Sequence, residues 1–219
     1  MKKVFGLLFL IGILCFTLVG CENKSDDGNN NSNNDNNKTV SDSKKGIDLT
    51  DNSIYFIIID GIKYDVNTTL QDVLDDGYDV LKSVTSKLNK EVSANQTVWD
   101  LVGLYKNDNT HFQVKLINRS DKQSTWAKCT LYQINVYADW YKNISIIGGI
   151  TFESSMEEIE AVFDGVPGQK SDNPAKDGHT ILSYRTTYAT GKIGTADGSF
   201  QFFFDESGKL TSIMMEGNR

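Results

Sequence analysis

The 219-residue chain is poor in the side chains that most often carry chemistry. It has two histidines, His111 and His179, and three cysteines, Cys15, Cys21 and Cys129. No His-Glu-x-x-His, Cys-x-x-Cys or Gly-x-Ser-x-Gly occurs. The commonest zinc-protease, thiol-redox and serine-hydrolase motifs therefore have no residues to build on. Basic residues are also in deficit, 22 against 29 acidic, for a net charge of −7. That balance argues against nucleic acid or anionic lipid as a direct partner. The apolar stretch Val4–Phe16 falls short of the roughly 20 residues that a spanning helix needs.

What is present begins at the N-terminus. Met1-Lys2-Lys3, the short apolar stretch and Leu18-Val19-Gly20-Cys21 have the layout of a secretory signal peptide. The Leu-Val-Gly-Cys ending resembles the lipobox of bacterial lipoproteins. That resemblance implies cleavage before Cys21, a signal peptide over 1–20 and acylation of Cys21. A diacylglyceryl pair then makes the anchor permanent, where one chain would bind only marginally. The expected location is the extracytoplasmic face of a bacterial membrane, with the lipid on Cys21 as the membrane contact.

Residues 21–46 read as a tether. The stretch contains Asn-Asn-Asn-Ser-Asn-Asn-Asp-Asn-Asn and almost no apolar side chain. It cannot bury enough surface to offset its ordering entropy. A flexible chain of this length spans roughly 25–30 Å.

The remainder reads as a sequence written twice, over 47–142 and 143–219. Thr68 to Gln71 and Ser154 to Glu157 both show a capping-box pattern that opens a helix. Gly77 and Gly165 then fit helix C-termini. Downstream, His111–Leu116 lies opposite Ser199–Phe204, and Leu131–Ile134 opposite Leu210–Ile213. Strands are expected at Ile54–Ile59, Thr97–Leu104, His111–Asn118 and Cys129–Val136, and again at Thr180–Tyr188, Ser199–Asp205 and Leu210–Met215. The expected fold class is α+β, with two similar helix-plus-antiparallel-sheet units in tandem.

Within the second half, Gly149-x4-Ser154-x2-Glu157-Glu158-Ile159, Phe163-Asp164-Gly165-Val166-Pro167, Tyr184 and Phe202–Asp205-x2-Gly208-Lys209-Leu210 form a further pattern. It resembles one unit of the SmpA/OmlA outer-membrane assembly lipoproteins. It also resembles the β-lactamase inhibitor protein, which carries such a unit in tandem. The resemblance covers Ile144 to Met215 and extends only faintly to the first half. It implies a module that binds other proteins through its sheet, with no catalytic residue to carry over. The inhibitor's units hold disulfides, and this chain cannot match them. Cys15 leaves with the leader and Cys21 is lipidated, so Cys129 has no partner. It reads as a small buried hydrophobe in a strand.

No other constellation points to catalysis, a metal or a cofactor. The acidic clusters Asp72–Asp79 and Glu153–Asp164 lack the alternation of a calcium loop and read as solvated helix faces. Gly191-x-x-Gly194-x-x-x-Gly198 lies between strands, whereas phosphate loops open helices. A binding module that engages a protein partner is thus the first reading. A solute or cell-wall-ligand receptor and an envelope enzyme are the alternatives. The candidate protein-binding residues are Phe203, Tyr184 and Tyr188, taken as an aromatic patch on the sheet face away from the helix. The opposing reading packs the two units sheet against sheet and buries those rings. Lipidation has a direct test. Cys21→Ser is expected to leave the membrane fraction and accumulate as unprocessed or released protein, as read by fractionation and the mass of the mature N-terminus.

Overall fold

Alternation of apolar and polar residues builds most of this molecule. The computed structural model describes residues 46–107, 109–186 and 198–219. Its dominant element is one eight-stranded antiparallel sheet. The sheet is formed by β3 (Asp79–Val80), β5 (Thr97–Lys106), β6 (Asn109–Ile117), β8 (Thr130–Tyr137), β10 (Gly168–Asp172), β11 (Thr180–Arg185), β12 (Ser199–Phe204) and β13 (Leu210–Glu216). Their order is β10-β11-β12-β13-β8-β6-β5-β3. A three-stranded sheet, β2-β1-β9, joins β1 (Phe56–Ile59) and β2 (Ile62–Asp65) to β9 (Ile144–Ser145). A small pair links β4 (Glu91–Val92) to β7 (Ser124–Thr125).

This architecture corrects the α+β expectation. The strands of the two halves do not form separate helix-backed units. β8 and β13 pair directly, with Met214 opposite Asn135 and Met215 opposite Ile134, so one sheet runs through both. The described α-helices are short: α1 (Leu70–Asp75), α2 (Lys82–Thr85) and α3 (Met156–Val162). Segments of one to two turns cannot form a layer of their own, and the protein is mainly β. The opposing idea of two packed sheets fails for the same reason, because the halves meet edge to edge.

The helix caps are real but displaced by one residue from their expected places. Thr69 caps α1 and exchanges bonds with Asp72. Ser155 caps α3 and exchanges bonds with Glu158. In each case the neighbouring hydroxyl is engaged elsewhere. The Thr68 hydroxyl accepts from the Asp65 backbone, and that of Ser154 accepts from the Thr151 backbone. Two hydroxyls in a row made both registers compatible with the sequence. Gly77 and Gly165 follow these helices with positive φ of 86° and 79°. A left-handed residue is what stops the helix there.

One face of the large sheet carries the core. Register places Tyr184, Phe200, Met215, Ile134 and Val114 side by side across five strands, and all are buried. Phe163 from the end of α3 stacks on Tyr184 with ring centroids 4.2 Å apart, and Tyr55 stacks on Phe200 at 4.9 Å. Each such side chain contributes about 1.5–3 kcal/mol by burial. The N-terminal segment is stapled to the end of β13 by Asn218. Its side-chain nitrogen donates to the carbonyls of Leu49 and Thr50 at 3.0 and 3.1 Å, while its side-chain oxygen accepts from the Gly198 backbone at 2.9 Å. A Cβ at Gly198 would collide with the Tyr55 ring. Only glycine lets the chain pass that close.

Cys129 does not lie within a strand. It closes a short 3-10 turn, Trp126–Lys128, immediately before β8. The expected buried environment is nonetheless present, with the residue 1% exposed. Burial pushes its thiol up to about 11, which leaves little thiolate near neutral pH. The native protein is therefore expected to resist thiol reagents at pH 7.5. In denaturant, labelling of Cys129 is expected to run to completion within the mixing time.

Candidate functional site

The opposite face of the large sheet is where a site can lie. Alternation that sends Phe200, Phe202 and Phe204 into the core turns Gln201 and Phe203 outward. Adjacent strands continue the pattern. Gln113 on β6, Asn135 on β8, Met214 on β13, Gln201 on β12 and Ser183 on β11 are paired neighbours in one row. A parallel row contains Tyr137, Ser212, Phe203 and Ile181, and another contains Lys115, Gln133, Glu216, Ser199 and Arg185. Directly opposed side chains on adjacent strands lie close enough to form one continuous surface. In these rows only Lys115, Glu216 and Arg185 carry charge, all three in the last row.

Two β-bulges decide which residues reach that face. Leu116 opposes Leu131 while Lys115 opposes Gln133, so Tyr132 is an extra residue on β8. The slip turns Gln133 and Asn135 outward and keeps Leu131, Ile134 and Val136 in the core. Unbroken alternation along β8 would put Leu131 and Gln133 on one face, and the bulge separates them. Once turned out, the two amides organise each other. Gln133 Nε2 donates to Asn135 Oδ1 at 2.7 Å and contacts Met214 Sδ at 3.1 Å. A second irregularity, on β5, leaves Trp99, Asp100 and Leu101 between the paired residues Val98 and Val102. Trp99 is 63% exposed there, with Lys115 and Arg219 against its ring.

A cleft of about 330 Å³ opens at one end of this face. Its floor holds Phe203, Met214 and Tyr137, and its rim holds Asp139 with Asn173, Lys176 and His179. The last three come from the turn between β10 and β11. That turn is held by Asn173, whose backbone N–H donates to the His179 carbonyl at 2.9 Å and whose side-chain oxygen accepts from Ala175. The fold of this turn over the sheet, which brings His179 to the cleft, has no signal in the sequence.

The expected aromatic patch does not form as drawn. Phe203 is on the outward face and half-buried, in the floor of the cleft. Tyr184 pairs with Phe200 and so points the other way, 3% exposed beneath α3. The antiparallel register matches even-numbered residues of β11 with even-numbered residues of β12, which separates Tyr184 from Phe203. Tyr188 and the glycines 191 and 194 lie outside the described residues, as does Cys21.

The other histidine sits in a separate cluster. On β6, Thr110 opposes Tyr105 and Phe112 opposes Leu104, so His111 is the unpaired residue of a bulge. Its ring stacks on Tyr141 at 4.5 Å, and its Nδ1 lies 3.4 Å from the Tyr78 hydroxyl. The Tyr141 hydroxyl donates to Asp60 at the tip of the β1–β2 hairpin, and Asn143 donates to the same carboxylate at 3.0 Å. Those bonds hold the Asp60 carboxyl below its usual range. Burial holds the His111 imidazole below its usual range, partly offset by Asp60, with Lys106 adding to the depression. Among the described residues no group of His, Cys, Asp and Glu is arranged to hold a metal ion. No described helix is long and apolar enough to cross a membrane.

Comparison with family models, with curated proteins and with solved structures finds no match to this chain.

The His111 environment has a measurable consequence. A folded-state value below the unfolded 6.5 means that the unfolded chain takes up the proton first as pH falls. The neutral-histidine contribution is therefore complete above about pH 6.5 and is lost as pH drops towards the folded-state value. Urea midpoints are expected to fall between pH 7 and pH 5, and the His111→Gln variant is expected to show a shallower fall over the same window.

Proposed function

We propose that this chain is a lipid-anchored binding module of the bacterial cell envelope, which engages a protein partner on the outward face of its sheet. The observation that carries the reading is the set of cross-strand rows around Phe203. Aromatic, methionine and amide side chains from adjacent strands form two uncharged rows through Phe203 and Gln201, rigidly backed by the aromatic core. Depletion of charge together with aromatic and methionine side chains is the composition of interface centres. The lipobox-like Cys21 and the Asn-rich tether support the envelope location, because they supply an anchor and the reach to clear the headgroups.

An enzyme is the weaker reading: His179 shares the cleft with the Thr211 and Ser212 hydroxyls without a described hydrogen bond to either, and the other histidine, His111, is packed among tyrosines. The receptor alternative rests on one observation, the cleft beside Phe203.

Phe203 is the residue on which the reading turns. Crosslinking on intact cells, followed by identification of the captured protein, supplies the partner. Phe203→Ala is expected to weaken binding of that partner by about 2 kcal/mol, the scale of an interface hot spot, with an unchanged unfolding midpoint. Gln201→Arg, which plants a charge in the adjacent row, is expected to act in the same direction. Full-strength binding by both variants would place the partner elsewhere.

A further inference from the structure

The cleft beside Phe203 has a chemistry of its own, separate from protein docking. It holds an apolar floor of Phe203, Met214 and Tyr137 between two opposite charges. Asp139 follows the end of β8, and Lys176 comes from the β10–β11 turn. The ion pairs among the described residues are Lys63 with Asp65, Lys87 with Asp100 and Lys170 with Glu160. Asp139 and Lys176 therefore line one cleft without neutralising each other. A third polar group has a fixed orientation. Asn135 is 7% exposed and lines the cleft, and its side-chain oxygen is occupied by Gln133 Nε2 at 2.7 Å. That bond leaves the Asn135 amide nitrogen as the donor that faces the cleft. Nearly buried and oriented by a neighbour, it is a built feature rather than a mobile surface side chain.

A carboxylate acceptor, an ammonium and an amide donor, and an apolar floor together match a molecule that carries the complementary set. We propose that this cleft binds a small zwitterion, an α-amino acid with an apolar side chain. Its ammonium meets Asp139, its carboxylate meets Lys176 and Asn135 Nδ2, and its side chain lies on Phe203 and Met214. The size agrees. At about 30 Å³ per water, 330 Å³ holds on the order of ten water-sized groups. That is an amino acid and not an oligomer, at the lower end of the range for ligand pockets.

The test uses the mature chain, 15N-labelled, titrated with three probes and followed by NMR. The probes are L-phenylalanine, 3-phenylpropionate, which lacks the ammonium, and 2-phenylethylamine, which lacks the carboxylate. L-Phenylalanine is expected to give saturable shifts that include the Asn135 side-chain amide, with affinity in the millimolar range or tighter. Each truncated probe is expected to bind about tenfold more weakly. Asp139→Asn alters an exposed side chain, so the fold is expected to persist. It should reduce L-phenylalanine to the affinity of 3-phenylpropionate and leave 3-phenylpropionate unchanged. This is the pattern of a lost pairwise contact. Equal binding of all three probes, no saturable shift, or equal loss of both ligands in Asp139→Asn would overturn the proposal. None of these outcomes bears on Phe203→Ala with a protein partner, so the two readings fail separately.

Discussion

The pairing of β8 with β13 is the constraint on which the rest depends. It joins strands from distant parts of the chain, with Val136 opposite Ile213 and Ile134 opposite Met215. Without it, β5, β6 and β8 on one side and β11, β12 and β13 on the other would each expose a long strand edge. Such edges are templates for unwanted pairing. Joined, they leave the two-residue β3 at one edge and the wholly exposed β10, with Lys170 and Asp172, at the other. Short edges and charged edges are how sheets avoid edge-to-edge association.

The same pairing separates the core face from the face of the candidate site. In a sheet of period two, one register decision assigns every side chain to a face. Tyr184, Phe200, Met215 and Ile134 fall to the core, where α1, α3 and the β1–β2 hairpin cover them. Gln201, Met214 and Asn135 fall to the other side, where the β10–β11 turn folds over one end. The inward aromatic rings give the sheet a rigid base. The outward amides can then hold fixed orientations, as Gln133 holds Asn135. A polar side chain held in this way binds at a lower entropic cost than a mobile one.

Bulges are the second organising device. Each adds a residue without a cross-strand partner and re-aims its neighbours. At Tyr132 the slip turns the amides of β8 outward. At His111 it sends an imidazole among Tyr78, Tyr141 and Asp60, coupling the tip of the β1–β2 hairpin to β6. At Trp99–Leu101 it lifts an indole out of the sheet, between Lys115 and Arg219. At Trp99–Leu101 and at Tyr132 adjacent apolar side chains break the alternation without saying which residue is extra, and at His111 nothing in the sequence announces the slip.

Sequence by itself determined the local pieces. The Phe200–Phe204 alternation, the alternating runs of β6, β11 and β13, and the glycines that end α1 and α3 follow from side-chain period and backbone preference. Those are properties of a few consecutive residues, and Phe203 was legible as an outward aromatic for that reason. Tertiary structure decided the rest. The pairing of β8 with β13 depends on residues some 80 positions apart. It converted two expected units into one mainly-β sheet. The register of β11 on β12 took Tyr184 away from Phe203, because direction relative to a neighbouring strand is not written in either strand alone. The cleft lay further still from the sequence. Asp139, Lys176 and Asn135 share it only because a turn from one hairpin folds over the ends of two other strands, and no local pattern encodes a meeting of that kind.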